Sequence, residues 1–382
     1  MAERLLNAGF DIPAMIRDAR IIVCCGAGGV GKTTSAAALG ILAAQAGRSV
    51  CVMTIDPARR LAQAMGLAHL DDAPQAVAVP NGRLSAMMLN PKHTFDRMIE
   101  TYSPSERVRD SIFANRYYQE LSSTLGGSRE LIAMERVLEI AGSEEFDLLI
   151  VDTPPAQHAL DFLDGPRRLI DMLDGSFTRM LLAPYGFAAR AQFNLFQHSS
   201  AAMMKFLERL TGVGMLADLS EFLLSFSSMF EGLKERSHRV MALMSEATTS
   251  FVLVCAPASA SLRQVEHFAS RLGESDLNIG GVLVNRVHES FGTEELSAAD
   301  IRLLDELLPG QVASQTLSER VDAALQDARA LSAADSAALH LLDELAQARW
   351  YVPHFNRDLH SLDDLLEFAE KLVDSGSVSL SG

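Results

Sequence analysis

Gly26 to Thr34 reads G-A-G-G-V-G-K-T-T and contains the spacing G-x-x-x-x-G-K-T. That spacing suits the binding of a phosphate chain. Across Gly26, Ala27, Gly28, Gly29, Val30 and Gly31 the glycines let backbone N–H groups converge on phosphate oxygens with few Cβ atoms in the way. A helix opening near Gly31 points its positive end at the same oxygens. Lys32 is placed to bridge a β- and a γ-phosphate, the Thr33 hydroxyl to ligate Mg²⁺, and Thr34 continues the cradle. A Gly-rich turn with an incidental lysine is the alternative. It gives no reason for the context, which is an apolar run before the motif and an Ala/Leu-rich run after it.

Two carboxylates extend this chemistry. Asp152 ends the run L-L-I-V-D, where a carboxylate has no packing purpose. It holds the Mg²⁺ through a water, or it caps a turn or helix. Asp56 ends a second apolar run and precedes Pro57. It orients or deprotonates an attacking water, or it is an N-cap before a helix.

The elements that must position these groups are legible. Arg20 to Cys25 (RIIVCC) and Ser49 to Ile55 (SVCVMTI) read as fully buried strands, and Gly31 to Ala46 reads as the helix between them. Strand, helix and strand make a parallel unit with a right-handed crossover. Arg83 to Leu89, Phe146 to Val151, Phe251 to Ala256, Ile279 to Asn285 and Trp350 to Val352 are further strand candidates. Helices are expected at Ser261 to Leu272 and Leu362 to Leu372. The expected fold class is α/β, a doubly wound and mostly parallel sheet. From His158 to Ala247 the alternation stops, and helical spacing takes over at Met203, Phe206, Leu207 and Leu210, then at Leu219, Phe222, Leu223 and Phe226, continued by Phe230. Residues 15–160 and 248–375 are therefore expected to form the core, 161–247 a helical insertion, and 376–382 a disordered tail.

Composition narrows the function. The 382 residues are 48% hydrophobic, with 33 Lys and Arg against 49 Asp and Glu, a net charge of -16. Such a balance argues against a nucleic-acid partner and against adhesion to anionic lipid. The apolar runs fall short of the roughly 20 residues of a membrane span, and the opening residues lack a signal-peptide pattern. A cytoplasmic protein is expected. Cys24, Cys25, Cys51 and Cys255 lie in β-branched runs without C-x-x-C spacing, so no bound zinc, metalloid or shared cluster is expected.

Together the loop, Asp56-Pro57-Ala58 and Asp152-Thr153-Pro154-Pro155-Ala156-Gln157-His158 resemble the family of arsenical-pump (ArsA) and tail-anchored-protein-targeting ATPases. In that family the loop reads G-K-G-G-V-G-K-T, switch I reads D-P-A, and switch II reads D-T-A-P-T-G-H. The resemblance spans about Ile21 to Lys371. It implies ATP and Mg²⁺ as ligands and a dimer, with itself or with a paralogue. It also implies a switch II at Asp152, Thr153, Pro154, Pro155 and His158. By the same resemblance Asn285 hydrogen-bonds the adenine, although a strand-ending turn residue would also look like this. The family's signature lysine, second in the loop, is Ala27 here. Hydrolysis is then slow, or a related subunit supplies the lysine, or another cation such as Arg59 or Arg60 substitutes; a solvated helix turn also accounts for those two arginines.

The insertion carries the last clue. Met172 to Met244 holds 8 of the 16 Met and 8 of the 18 Phe, with a net charge of +1 against -17 for the remainder. Met203, Phe206, Phe222, Phe226 and Phe230 would line a groove for an apolar helix client or membrane protein, because Met repacks easily. Or they are the insertion's own core. An ATPase subunit energising an anion transporter and a low-turnover nucleotide-gated scaffold are the competing functions.

Overall fold

The computed structural model describes residues 12–58, 60–119, 129–154, 227–290, 314–343 and 348–374, with 165–168, 170–171 and single positions at 222, 225, 297, 300 and 303. Eight strands form one sheet: β1 (Ile21–Gly26), β2 (Ser49–Thr54), β3 (Gln75–Val77), β4 (Arg83–Met88), β5 (Leu148–Asp152), β6 (Thr249–Cys255), β7 (Ile279–Val287) and β8 (Arg349–Pro353). Their order is β3-β4-β2-β5-β1-β6-β7-β8. Among the described residues only the β3–β4 pair is antiparallel. Each strand read from the sequence is present within a few residues, and β3 is an addition. The chain leaves β1 toward β2, then passes from β5 across β1 to β6. This reversal of winding opens a crevice at the carboxyl ends of the central strands.

The described helices are α1 (Ile12–Asp18), α2 (Lys32–Gln45), α3 (Arg60–Ala64), α4 (Pro91–Tyr102), α5 (Glu106–Ala114), α6 (Arg129–Gly142), α7 (Phe230–Met244), α8 (Ser259–Glu274), α9 (Ser314–Leu339) and α10 (Leu362–Asp374). The continuous apolar strands are explained by helices on both faces of the sheet. Along β1, Ile22 and Cys24 join the core under α1, α2 and α10, whereas Ile21, Val23 and Cys25 join the one under α6 and α8. β2 and β5 divide in the same two-residue alternation.

A third, smaller apolar cluster lies apart. Met98 and Ile99 of α4 and Ile112 of α5 meet Tyr118, Phe222, Met229 and Leu233, with Phe230 packed against them. The helical layer therefore draws on α4 and α5 as well as on the 161–247 segment. This also corrects the placement of one groove candidate. Phe222 is 7% exposed and fills this core instead of lining an open groove, whereas Phe230 is half-buried against it. Met203, Phe206 and Phe226 lie outside the described residues, as do 376–382.

Close approach of α2 to the sheet rests on Gly40. A Cβ there would stand 2.6 Å from Val52 Cγ2 and 3.2 Å from Leu84 Cδ1, and Val52 is fully buried. Gly273, late in α8, has nothing within 4 Å of such a Cβ. Helix propensity alone favours Ala over Gly by about 1 kcal/mol at either position. Gly40→Ala is nevertheless expected to destabilise by about 1–3 kcal/mol through overpacking, and Gly273→Ala to be neutral or stabilising. Chemical denaturation of the two variants checks this; equal midpoints would contradict the packing account.

Candidate functional site

The sheet register brings the chemistry together before any side chain turns. Asp152 of β5 is opposite Cys24 of β1 and Thr54 of β2. Two residues beyond Cys24, β1 runs into the glycine loop, so the loop, Asp152 and Thr54 share one end of the sheet. Thr33 Oγ1 donates to Asp152 Oδ2 at 2.8 Å and Thr54 Oγ1 donates to the same oxygen at 2.9 Å. The other oxygen, Asp152 Oδ1, is buried without a partner. Asp152 thus bonds to two hydroxyls and not to a helix N-terminus, so capping does not account for it. Burial pushes its carboxyl up to about 6, against the pull of the Thr33 and Thr54 hydrogen bonds and of Lys32.

The loop is built around Gly31 and Lys32. Gly31 caps α2 with φ 95° and ψ 24°, a left-handed conformation in which a side chain is strained. A Cβ at Gly31 would also lie 2.2 Å from Asn285 Nδ2. Lys32 follows as the first residue of α2 and is buried, with Nζ donating to Ala27 O at 2.8 Å. Desolvation lowers its pKa, while Asp152 raises it in opposition. The ammonium is therefore held inside the loop, within electrostatic reach of a carboxylate that has an oxygen to spare.

Each remaining candidate has a definite place. Asn285 Nδ2 donates to Val30 O at 2.9 Å and its Oδ1 accepts from Arg286 N at 2.9 Å. The side chain thus ties β7 to the loop. Thr153 is buried and Oγ1 donates to Cys24 O at 2.8 Å, pinning the segment after β5 to β1. Asp56 Oδ1 accepts from Ala58 N at 3.0 Å, a local turn just ahead of α3. Pro155, His158 and Arg59 lie outside the described residues. The four cysteines are free and buried. Burial pushes the thiols of Cys25, Cys51 and Cys255 up to about 12, so they stay protonated.

A cavity of about 730 Å³ opens over the loop, within the range of small-molecule sites. Gly29, Gly31, Lys32, Thr33 and Thr34 form its floor and Asp56 and Arg60 stand on the β2 side. Asn285 and Arg286 line it from β7. His354, Phe355, Arg357 and Asp358 line it from the segment after β8. The sequence reading missed this last wall. Its one local signal is the cap that closes it: Ser361 N donates to Asp364 Oδ2 at 3.0 Å and Asp364 N donates to Ser361 Oγ at 3.2 Å.

Mg²⁺ fits the donors present. It takes hard oxygen ligands and keeps several waters, so a protein supplies one or two groups. The Thr33 hydroxyl and the unpartnered Asp152 Oδ1 are such groups, and soft thiol ligands are withheld by burial.

A glycine loop between a central parallel strand and a helix, with a buried lysine, a threonine hydroxyl and a strand-ending carboxylate, defines a phosphate-loop nucleotide-binding α/β protein. Comparison with known proteins sharpens the class. Residues 19–297 match the family model of the anion-transporting ATPases, ArsA. The chain belongs to that family and is an ATPase. Relatives include the ATPase GET3 of Malassezia globosa, 27% identical over 267 residues that cover 70% of this chain and 72% of that protein. The ATPase get3 of Neurospora crassa is 28% identical over 280 residues, 71% and 74% of the two chains. The ATPase ASNA1 homolog 1 of Paramecium tetraurelia is 24% identical over 270 residues, 69% and 73%. Among the described residues no helix is long and apolar enough to cross a membrane.

The raised pKa of Asp152 has a measurable consequence in the metal-free protein. An unfolded aspartate titrates near 3.9. Between about 4 and about 6 the folded chain holds a proton that the unfolded chain has released. Stability therefore falls as pH rises through that window and stays lower above it. Asp152→Asn removes the carboxylate. In EDTA it should be more stable than the parent at pH 7.5 by roughly 2–3 kcal/mol, and the gap should narrow below about pH 4. A difference that does not vary with pH would contradict the electrostatic account.

Proposed function

We propose that this ATPase is a magnesium-dependent, ATP-driven dimeric switch that handles a hydrophobic protein client or membrane partner. The observation that carries the nucleotide half is the buried Lys32 of the glycine loop together with the buried Asp152, whose Oδ1 has no partner. Buried charges held like this demand a ligand that satisfies both, and a phosphate chain with its metal does so.

The chain's own residues then divide the work. Loop amides and Lys32 bind the β- and γ-phosphates, and Thr33 and Asp152 hold the metal. Bound there, Mg²⁺ neutralises charge on the phosphate oxygens. Asp56, beside the open end of the cavity, orients a water toward the γ-phosphorus. A P–O bond forms to that water while the bond to the β–γ bridging oxygen breaks. The electron pair stays on ADP, and the water's proton passes through Asp56 to solvent, leaving inorganic phosphate. Asn285 keeps hydrogen-bonding capacity beyond its two internal bonds, and it offers that to the base from the cavity wall. Thr153 and Pro154 begin switch II, which with Pro155 and His158 relays loss of the γ-phosphate.

The client half rests on the Met/Phe-rich, nearly neutral composition of Met172 to Met244, on the separation of the helical cluster from the two sheet cores, and on relatives named GET3 and ASNA1. The partner in the dimer is a second copy or a paralogue.

Two experiments test this reading. Lys32→Ala should lower Mg²⁺-dependent phosphate release at least about 10²-fold, because it removes a preorganised charge from the transferring group; parent-like turnover would overturn the site. A photoreactive peptide of about 20 apolar residues should label Met172 to Met244 more strongly with Mg-ATP than with Mg-ADP. Equal labelling in both nucleotides, or labelling elsewhere, would defeat the client reading.

A further inference from the structure

We propose that Arg60 is a further catalytic residue, a guanidinium supplied in cis to the γ-phosphate, in the place that Ala27 leaves without a cation. The proposal rests on the phosphate site described above and adds a residue to it.

The cavity is a local reversal of the protein's charge. Four cations line it, Lys32, Arg60, Arg286 and Arg357, against two acids, Asp56 and Asp358, although the chain as a whole carries -16. These cations are not equivalent. Lys32 is bonded within the loop. Arg357 is engaged by Asp364 and Glu367 of α10. The guanidinium of Arg60 has no hydrogen bond or ion pair among the described residues, and neither has that of Arg286.

Topology separates the last two. Thr33 at the start of α2 and Asp152 at the end of β5 would hold the metal, and Thr54 of β2 bonds to the same oxygen of Asp152 as Thr33 does. The metal-bearing end of a phosphate chain therefore points toward β2. Asp56 and Arg60 follow β2 directly. Arg286 lies near the carboxyl end of β7, two strands from β1 on the other side, and lines the cavity there. Of the two unengaged arginines only Arg60 stands where negative charge gathers during transfer.

Local stability gives no reason for an arginine there. Arg60 opens α3, and the first turn of a helix favours acids over bases. The side chain is exposed and pairs with no carboxylate among the described residues. A residue that breaks a local preference without a compensating contact marks a functional position. A guanidinium forks onto two phosphate oxygens at once, and a cation on a transferring phosphoryl group is worth about 10³-fold or more in rate.

The test uses the full-length protein with Arg60→Ala, Arg60→Lys and Lys32→Ala. Competition against a fluescent-labelled ADP gives the affinities for ADP, ATPγS and ADP–aluminium fluoride, in magnesium and in EDTA, and phosphate release gives turnover. Arg60→Ala should keep ADP affinity within about twofold, bind ADP–aluminium fluoride at least tenfold more weakly, and turn over at least tenfold more slowly. Arg60→Lys should recover part of each loss. Unchanged fluoride-complex affinity and turnover in Arg60→Ala, with Lys32→Ala inactive, would overturn the proposal and leave the site standing. An equal loss of ADP, ATPγS and fluoride-complex affinity in Arg60→Ala would also overturn it, since that is a structural effect. Parent-like nucleotide binding and turnover in Lys32→Ala would overturn the site and the proposal together.

Discussion

One constraint governs the molecule: a lysine and an aspartate of opposite charge are buried at the same end of a parallel sheet without a salt bridge between them. Lys32 bonds to the Ala27 carbonyl and Asp152 to two hydroxyls. Each is desolvated, and each shows it in a shifted pKa. Burial at this cost persists only when surrounding structure leaves the groups no alternative. The left-handed Gly31 fixes where α2 begins, Asn285 holds the loop from β7, and Thr153 holds the segment after Asp152 to β1. A ligand that bridges the two charges recovers what their burial loses. It stabilises the folded state by mass action in proportion to its concentration over Kd.

The helical layer is fixed to this end of the sheet through a second set of charges. Asp72 lies in the connection after α3 and is buried; its Oδ2 accepts from Arg97 at 2.7 Å and its Oδ1 from the Asn90 amide at 3.0 Å. Arg136 of α6 donates to Asp72 O at 2.6 Å and pairs with Glu139 at 2.7 Å. Its neighbour Glu135 accepts from Tyr102 of α4 at 3.0 Å and pairs with Arg236 of α7 at 2.5 Å. Buried ion pairs of this kind add little net stability but penalise any other arrangement, because a displaced partner leaves an uncompensated charge. Adjacent residues of α6 thus clamp the connection after α3 on one side and the helical layer on the other.

Much of this was legible in the sequence, for reasons that differ by element. Strands buried on both faces read as continuous apolar runs, so β1, β2, β5, β6 and β7 stood out. The loop was legible because its residue types answer to phosphate geometry and not to packing. β3 was not: Gln75–Val77 is three residues at the edge, paired antiparallel to β4, too short to show a period. The cavity wall from His354 to Asp358 was not legible either, because the Ser361–Asp364 cap that follows it marks the start of a helix and not a wall facing the loop. It reaches the loop only because β8 pairs with β7 in parallel. Phe222 shows the remaining ambiguity. An apolar stripe on a helix has the same spacing whether it meets a client or its own neighbours. What decides for Phe222 is that Ile112 and Met98, over a hundred residues earlier, pack there.

The contrast between an acidic chain and a basic cavity also sets what the site selects. At physiological salt the field of exposed charge is screened within about 8 Å, so the surface acids repel a ligand only weakly once it is at the cavity mouth. Inside, screening falls and the lysine and arginines act at short range. A small, highly charged anion that fits about 730 Å³ meets these cations with all of its charge. A long polyanion would extend past the cavity onto a chain whose net charge is -16, which weakens the counterion release that drives such binding. The same charge distribution therefore favours a compact anion over an extended one at the cavity. It does so through where the few basic side chains are placed, since by number they are outweighed.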